Sequence, residues 1–356
     1  MSNGAGSGIP TLLLVLISPP LCQTLYHKFP VTLYMIISTP GSYRPNLEEF
    51  KKASQRIQDI AIRTQLIPLR WYEEDPRILL KPEMLQPIGS YKIRGVYNWV
   101  KKLSPDQRAK GISTASSGNM AQAVAYTAKQ FNIPSRTIVF ETTPQTKIDS
   151  ILKYGGEVVK KTFEGWVDYT INPDEDRNFI HPLEEFGLVD GHGTIGLEIM
   201  EEAPDTETIY VALGAGFLGA GIALAAKAMN PSVKVVGVNS ESSPHFYECL
   251  KQGRVVDTHM KPTLSDGSAI NLGAFPNTSE VLRLVEETID DVVLVSEEKI
   301  ANAIRYLALE NKLVAEGAGA ICLAAALNTP VEERGKTVCV LTGGSIDAGK
   351  LVKILK

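Results

Sequence analysis

The sequence predicts an α/β protein of two lobes, each built on a mainly parallel sheet covered by helices. Three observations predict it. Short β-rich runs alternate with helical periods over most of the chain, the pattern of strand–helix crossovers. Glycine-rich turns follow several of these runs, where parallel strands hand over to helices. The 356 residues also contain more predicted strands than sit comfortably in one sheet.

Residues 1–40 precede the globular pattern. The stretch "IPTLLLVLISPPLC" is as apolar as the core of a secretion signal, but the first basic residue, Lys28, comes after it. Pro19 and Pro20 break the run well short of the roughly 20 residues of a membrane span. A second apolar piece, "VTLYMIIS", follows. The segment reads as an extension of unknown role, disordered or packed on a partner subunit, rather than an export signal.

From Asn46 the run "NLEEFKKASQRIQDIAIRT" predicts a helix, with Asn46 as N-cap and acids in the first turn. "GISTAS" then leads into the helical "GNMAQAVAYTAKQF", and "SRTIVFET" into "TPQTKIDSILKYG". "EVVKKTF" leads into the region around "DYTINPDEDRNF". "ETIYVALG" passes into "FLGAGIALAAKAM", "KVVGVNS" into "SPHFYECLKQG", and "DVVLVS" into "EEKIANAIRYLALEN". The strand "TVCVLTGG" closes the series.

Composition narrows the function. Hydrophobic residues at 44% and charged residues at 21% describe a globular protein with ample core. A net charge of −4 gives no electrostatic reason to expect nucleic acid or an anionic membrane as partner. Cys22, Cys249, Cys322 and Cys339 are widely spaced without a CxxC, which fits free thiols in a reducing, cytoplasmic setting. The five histidines are dispersed with no HExxH, so no metal site is predicted.

Four stretches carry chemistry. In "QPIGSYKIRGVYNW" a turn containing Pro87, Gly89 and Ser90 places the single amine of Lys92 ahead of an amphipathic run. Either Lys92 is a solvated lysine at a helix start, or the turn delivers it to a fixed point. In "YVALGAGFLGAGIALAAK", Gly214, Ala215 and Gly216 open an Ala-rich helix whose free N–H groups suit a phosphate. Gly214, Gly216 and Gly219 match GxGxxG, yet the turn comes late in the chain and Glu241 lies beyond the usual position of a ribose-binding acid. Phosphate is therefore favoured over a dinucleotide, and a purely structural turn remains open. In "TASSGNMAQAVA", Ser116, Ser117, Gly118 and Asn119 form either an ordinary helix cap or a carboxylate-binding turn. In "CVLTGGSIDAGK" a strand ends at Thr342, and Gly343, Gly344 and Ser345 turn away.

Taken together, from about Asn46 to the C-terminus, the chain resembles the serine/threonine dehydratase and serine racemase group of pyridoxal-phosphate enzymes. These have the fold-type II, tryptophan-synthase-β-like architecture. "GSYKIRGV" is similar to the Schiff-base lysine segment, "SSGNMAQ" to the Ser-Ala/Ser-Gly-Asn-His loop, "LGAGFLGAG" to the tetraglycine phosphate loop, and "LTGGSID" to the closing Ser/Thr-Gly-Gly-Asn turn. The resemblance implies pyridoxal 5'-phosphate as cofactor, an amino acid as substrate, and a homodimer or higher homo-oligomer. It also implies a large cofactor-binding domain of residues 41–106 and 185–356 and a small domain of residues 107–184.

The resemblance implies site roles as well. Lys92 forms the Schiff base and, once displaced, acts as base for the α-proton. The backbone of Gly214, Ala215, Gly216, Phe217 and Leu218 cradles the phosphate. Asn119 bonds the 3-hydroxyl, Thr342 meets the pyridine nitrogen, and Glu316 sits near the ring. Ser116, Ser117, Gly118, Asn119 and Met120 bind the substrate carboxylate, and Asp266 in "TLSDGSAI" lies on the substrate side. Lys147 and Glu198 match family positions and are read as structural.

The chain departs from the pattern at Met120 for histidine, at Ala215 and Phe217 for two loop glycines, and at Ser345 for the final asparagine. Where the family's divalent-cation acids stand, "VNSESSPHFYE" offers Asn239 and His245. Ser117 faces Lys92 across the cofactor in this reading, where racemases use a serine hydroxyl as second acid/base. The expectation is α,β-elimination of L-threonine or L-serine to the 2-oxo acid and ammonia. Serine racemase is the alternative. A catalytically silent ligand-binding protein on the same fold and a nicotinamide oxidoreductase are the readings from other classes.

Overall fold

The computed structural model of the chain describes residues 42–70, 77–274 and 278–356, so the extension at residues 1–40 lies outside the described residues. The helix Leu47–Ile57 begins as its sequence predicts. Asn46 accepts from the Glu49 backbone N–H while the Glu49 side chain accepts from the Asn46 N–H, a reciprocal capping box.

Among the described residues ten strands form two sheets. In chain order they are β1 (Ile67–Pro68), β2 (Ile78–Pro82), β3 (Ile112–Ala115), β4 (Ser135–Phe140), β5 (Glu157–Lys161), β6 (Asn178–Phe179), β7 (Thr208–Ala212), β8 (Lys234–Ser240), β9 (Asp291–Val295) and β10 (Thr337–Leu341). A six-stranded sheet has the order β1-β2-β10-β7-β8-β9, and a four-stranded sheet the order β5-β4-β3-β6. Every pairing is parallel except β1 with β2. This is the α/β architecture of two mainly parallel sheets that the strand–helix alternation predicts.

Both faces of the six-stranded sheet are buried, as a parallel sheet requires. Along β7, Ile209 and Val211 face one core with the helices Val189–Glu202 and Phe217–Met229. Tyr210 and Ala212 face the other, with the helix Gly317–Leu327. That helix is built of Gly, Ala, Ile, Cys and Leu and is buried over nearly its whole length, so it lies inside the molecule. The helix Lys92–Lys102 packs Ile93, Val96 and Val100 against Met120, Ala123 and Val124 of the helix Asn119–Phe131, which joins the two halves of the chain by apolar contact.

Beneath the start of the Lys92 helix lies a cluster of buried charges. The Arg94 guanidinium donates to both oxygens of Glu83 at 2.8 Å and to Glu198 at 2.7 and 2.9 Å. Lys81 of β2 donates to Glu198 at 2.6 Å. Thr194, the Ile62 carbonyl, Thr64 and Gln86 take up further donors and acceptors. Two cations and two carboxylates balance, so the cluster adds no net charge to the interior.

Burial alone raises the Glu198 carboxyl, but the Arg94 and Lys81 charges and hydrogen bonds outweigh it and hold the group below its ordinary value. A lowered folded-state value means that its contribution is complete above the ordinary carboxyl range and is lost as pH falls through the folded-state value. Glu198→Gln strands a buried positive charge and is expected to cost about 3–5 kcal/mol near neutral pH. Urea unfolding across pH tests this: the gap between parent and variant should close on acidification. A gap independent of pH would show that Glu198 contributes shape rather than charge.

Candidate active site

Three chain segments leave adjacent parallel strands at one edge of the six-stranded sheet. β2, β10 and β7 are neighbours, with Leu341 opposite Pro82 and Cys339 opposite Tyr210. The Lys92 turn, the Thr342 turn and the Gly214 loop therefore emerge side by side, where open parallel sheets place ligand sites.

The Lys92 turn is pinned to the Thr342 turn by backbone. Ser90 and Gly343 form an antiparallel bridge, Tyr91 N–H donates to the Thr342 carbonyl at 3.1 Å, and Gly344 N–H donates to the Gly89 carbonyl at 3.0 Å. Lys92 is the first residue of its helix. The residue is half-buried, and its amine lies 4.9 Å from the centre of the Tyr91 ring with no carboxylate partner among the described residues. The turn fixes the backbone from which the Lys92 side chain leaves.

Asn119 reaches this edge from the end of β3 in the other sheet. Its Nδ2 donates to Glu316 Oε1 at 2.8 Å, and its Oδ1 accepts from Ser345 Oγ at 2.7 Å. A side chain at Gly343 would place Cβ 2.4 Å from Glu316 Oε1 and 3.0 Å from Asn119 Nδ2, so only glycine permits this approach. Glu316 is buried and its carboxyl is pushed up to about 7, by burial first and then by the charge of Asp266, against the hydrogen bond from Asn119. Thr342 Oγ1, also buried, donates to the Ala318 carbonyl at 2.9 Å.

The Gly214 loop is held from behind. Asn239 Nδ2 donates to the Leu213 carbonyl at 2.8 Å, and Asn239 Oδ1 accepts from Phe246 N–H at 3.0 Å. His245 Nε2 lies 3.1 Å from the Gly214 carbonyl, and burial pushes this ring down to about 4, so it is neutral near pH 7. The two residues at the family's cation position are thus occupied in bracing the loop. Among the described residues no three His, Cys, Asp or Glu side chains gather as a metal site.

The loss of two loop glycines has a simple physical account. Only Gly216 in this loop takes a left-handed conformation, at φ 83°. Phe217 and Leu218 already belong to the helix and pack into the core, while Ala215 is half-buried against the same core. Gly216 is the helix N-cap and supplies no side-chain cap, so the first-turn N–H groups stay available to an anion. An uncapped N–H cradle, an unpaired amine and a buried hydroxyl along one sheet edge fit the donor and acceptor groups of pyridoxal phosphate.

The remaining predicted residues fall into place unevenly. Ser116 Oγ accepts from Gly118 N–H at 3.3 Å. Ser117 is half-buried and makes no side-chain hydrogen bond among the described residues. The Met120 side chain is buried in the apolar cluster with Ile93 and Val96, so only its backbone remains for a substrate. Asp266 is exposed and lies 3.4 Å from Lys350, with no bond to the Ser116–Asn119 loop. The charged cluster around Arg94 went unread in the sequence. Its signal was Lys81 and Arg94, cations set in the mainly apolar runs "ILLKP" and "IRGV".

A model of the pyridoxal-phosphate dependent enzyme family matches residues 57–343. The chain is 38% identical to an L-threonine ammonia-lyase of Thermotoga maritima over 316 residues, covering 87% of this chain and 78% of that protein. It is 40% identical to one of Geobacter sulfurreducens over 304 residues, covering 83% and 75%. The structure of maize serine racemase superposes with a TM-score of 0.79 at 29% identity, covering 87% of this chain and 97% of that one. Fold, site geometry and these likenesses agree that the chain belongs to the pyridoxal-phosphate dependent enzymes of fold-type II.

Proposed function

We propose that the protein eliminates the β-hydroxyl of L-threonine or L-serine, giving the 2-oxo acid and ammonia. The observation that carries the reading is the Lys92 amine, unpaired and fixed by backbone to the Thr342 turn beside the uncapped Gly214 loop. The relatives named L-threonine ammonia-lyase support the substrate class.

Bound pyridoxal phosphate supplies an electron sink for charge at the α-carbon of an amino acid. The protein's residues supply the rest. The backbone N–H groups from Gly214 to Leu218 would hold the phosphate, and Asn119 Nδ2 would hold the 3-hydroxyl oxygen. Thr342 Oγ1, which donates to the Ala318 carbonyl, would be the group to meet the pyridine nitrogen. A neutral hydroxyl there, unlike an aspartate, would do little to keep that nitrogen protonated, which would favour loss of a β-substituent over transamination. Ser116, Ser117 and the amides of Gly118, Asn119 and Met120 bind the substrate carboxylate. Lys92 Nζ takes the α-proton. Asp266, paired with Lys350, is assigned to the substrate side.

Serine racemisation is the second reading, favoured by the Ser117 hydroxyl and the likeness to maize serine racemase. The proposal extends to a large domain of residues 41–106 and 185–356, a small domain of residues 107–184, and a homodimer or higher homo-oligomer as is the family's habit. The buried free thiols of Cys249, Cys322 and Cys339 suit a cytoplasmic location, and no helix among the described residues is long and apolar enough to cross a membrane.

A panel of L- and D-serine, L-threonine and 3-hydroxyaspartate, assayed for oxo acid and for the opposite enantiomer, tests the reaction. Faster racemisation than oxo-acid formation would put the second reading first. Lys92→Ala is expected to abolish the visible absorbance of the bound cofactor and all turnover with the fold intact. Borohydride reduction and peptide mapping of the parent should mark Lys92, and a mark on another lysine would sink the assignment. Gly216→Val forces a branched side chain into a left-handed position with Cβ 2.8 Å from Val285 Cγ2, and should release cofactor on dialysis faster than the parent. Ser117→Ala should keep much of the elimination activity while removing any racemisation, a contrast on the scale of the about 10²–10⁴-fold contributed by general acid–base groups. Equal loss of both would assign Ser117 to carboxylate binding or loop geometry.

A further inference from the structure

We propose that Ser345 is a positioning residue: with Glu316 it clamps the Asn119 carboxamide so that one Nδ2–H faces the cofactor's 3-hydroxyl oxygen. The inference rests on the cofactor reading above. It goes beyond that reading by giving a task to a side chain that stands where the family pattern has asparagine.

A carboxamide presents an acceptor at one end and two N–H donors at the other, and its neighbours decide which end faces where. Asn119 is gripped at both ends from outside its own helix. The Ser345 hydroxyl donates to Oδ1 at 2.7 Å and Glu316 Oε1 accepts from Nδ2 at 2.8 Å. An ionised carboxylate only accepts, so a flipped amide would set Oδ1 against Glu316, acceptor against acceptor. The grip uses one Nδ2–H and leaves the second uncommitted.

The clamp is built into one turn. Gly343 accepts from Glu316 N–H at 3.0 Å and makes room for both side chains, and Ser345 follows two residues later. Glu316 approaches from a buried position, whereas Ser345 is exposed at the rim. The charges acting on Glu316 are those of Asp266 and Lys147, and Asp266 is paired with Lys350. If Ser345 is removed, Glu316 still selects the orientation, but the carbonyl end swings free and the donor to the cofactor is no longer held.

The test uses the full chain loaded with pyridoxal phosphate at pH 8, above the value of about 7 to which Glu316 is pushed, so that the carboxylate is ionised. Ser345→Ala should raise the cofactor dissociation constant about three- to tenfold, the size of one ordinary hydrogen bond. The pH titration of the visible absorbance should move upward as well, because a donor to an anionic oxygen lowers its pKa and the variant loosens that donor. Thermal unfolding of the apoprotein should be unchanged, since the site is exposed. Ser345→Thr, which keeps the hydroxyl, should restore both readouts. In an Asn119→Ala background Ser345→Ala should add nothing. A parent-like Ser345→Ala, or an undiminished effect without Asn119, overturns the inference. A parent with no cofactor absorbance overturns the cofactor reading itself, whereas a parent that has it beside an unresponsive variant overturns only the role of Ser345.

Discussion

The place of Lys92 depends on the buried charges two residues away. Arg94 is wholly enclosed, and its guanidinium is shared between Glu83 in the turn after β2 and Glu198 on the helix Val189–Glu202. Ions without water are tolerated only where partners meet them at hydrogen-bonding distance. An apolar filler of the same volume could match the cluster in stability but would accept several registers. The forked donors of Arg94 accept very few. The end of β2, the Lys92 turn and a helix from the far side of the core are thereby locked in one arrangement, and the amine at the head of the Lys92 helix is placed by it.

The site itself is a meeting of strand ends. Residues as far apart in sequence as Gly89 and Gly344 touch because β2 and β10 lie side by side, and the Gly214 loop joins them because β7 is the next strand. Asn119 comes from the four-stranded sheet and is tied to this edge by the hydrogen bonds of Glu316 and Ser345. Apolar packing between the Lys92 and Asn119 helices brings the two sheets together. The polar contacts then set the fine position of the side chains.

Much of this was legible in the chain because it is local. Strand–helix alternation gave the sheets, and the Asn46 cap came out as a capping box. The glycine-rich turns stand where strands end, since a chain leaving a parallel strand into a helix needs such turns. The Arg94 cluster was not legible, because Glu198, which meets both Lys81 and Arg94, lies over a hundred residues from either, and such a pairing leaves no local pattern. The helix Gly317–Leu327 was missed for a related reason: it is buried all round and shows no amphipathic period. The bracing of the Gly214 loop by Asn239 and His245 is equally non-local, and from the sequence these two could be weighed only as metal ligands.

On the proposed reading, the balance between elimination and racemisation turns on a physical asymmetry between Lys92 and Ser117. Lys92 carries an amine, a competent base once uncharged, and it stands on the braced edge of the six-stranded sheet. Ser117 belongs to the loop of the other sheet and carries a hydroxyl, which exchanges protons poorly unless an adjacent base activates it. No side chain among the described residues is hydrogen-bonded to the Ser117 hydroxyl. Any activation there has to come from the bound substrate or from the cofactor's own oxygens. Elimination would make no such demand on the second face, because Lys92 alone takes the α-proton and the departing hydroxide needs only a proton donor on its way to water. On the proposed reading, one well-placed base and one unassisted hydroxyl favour elimination, with racemisation as the slower exchange on the second face.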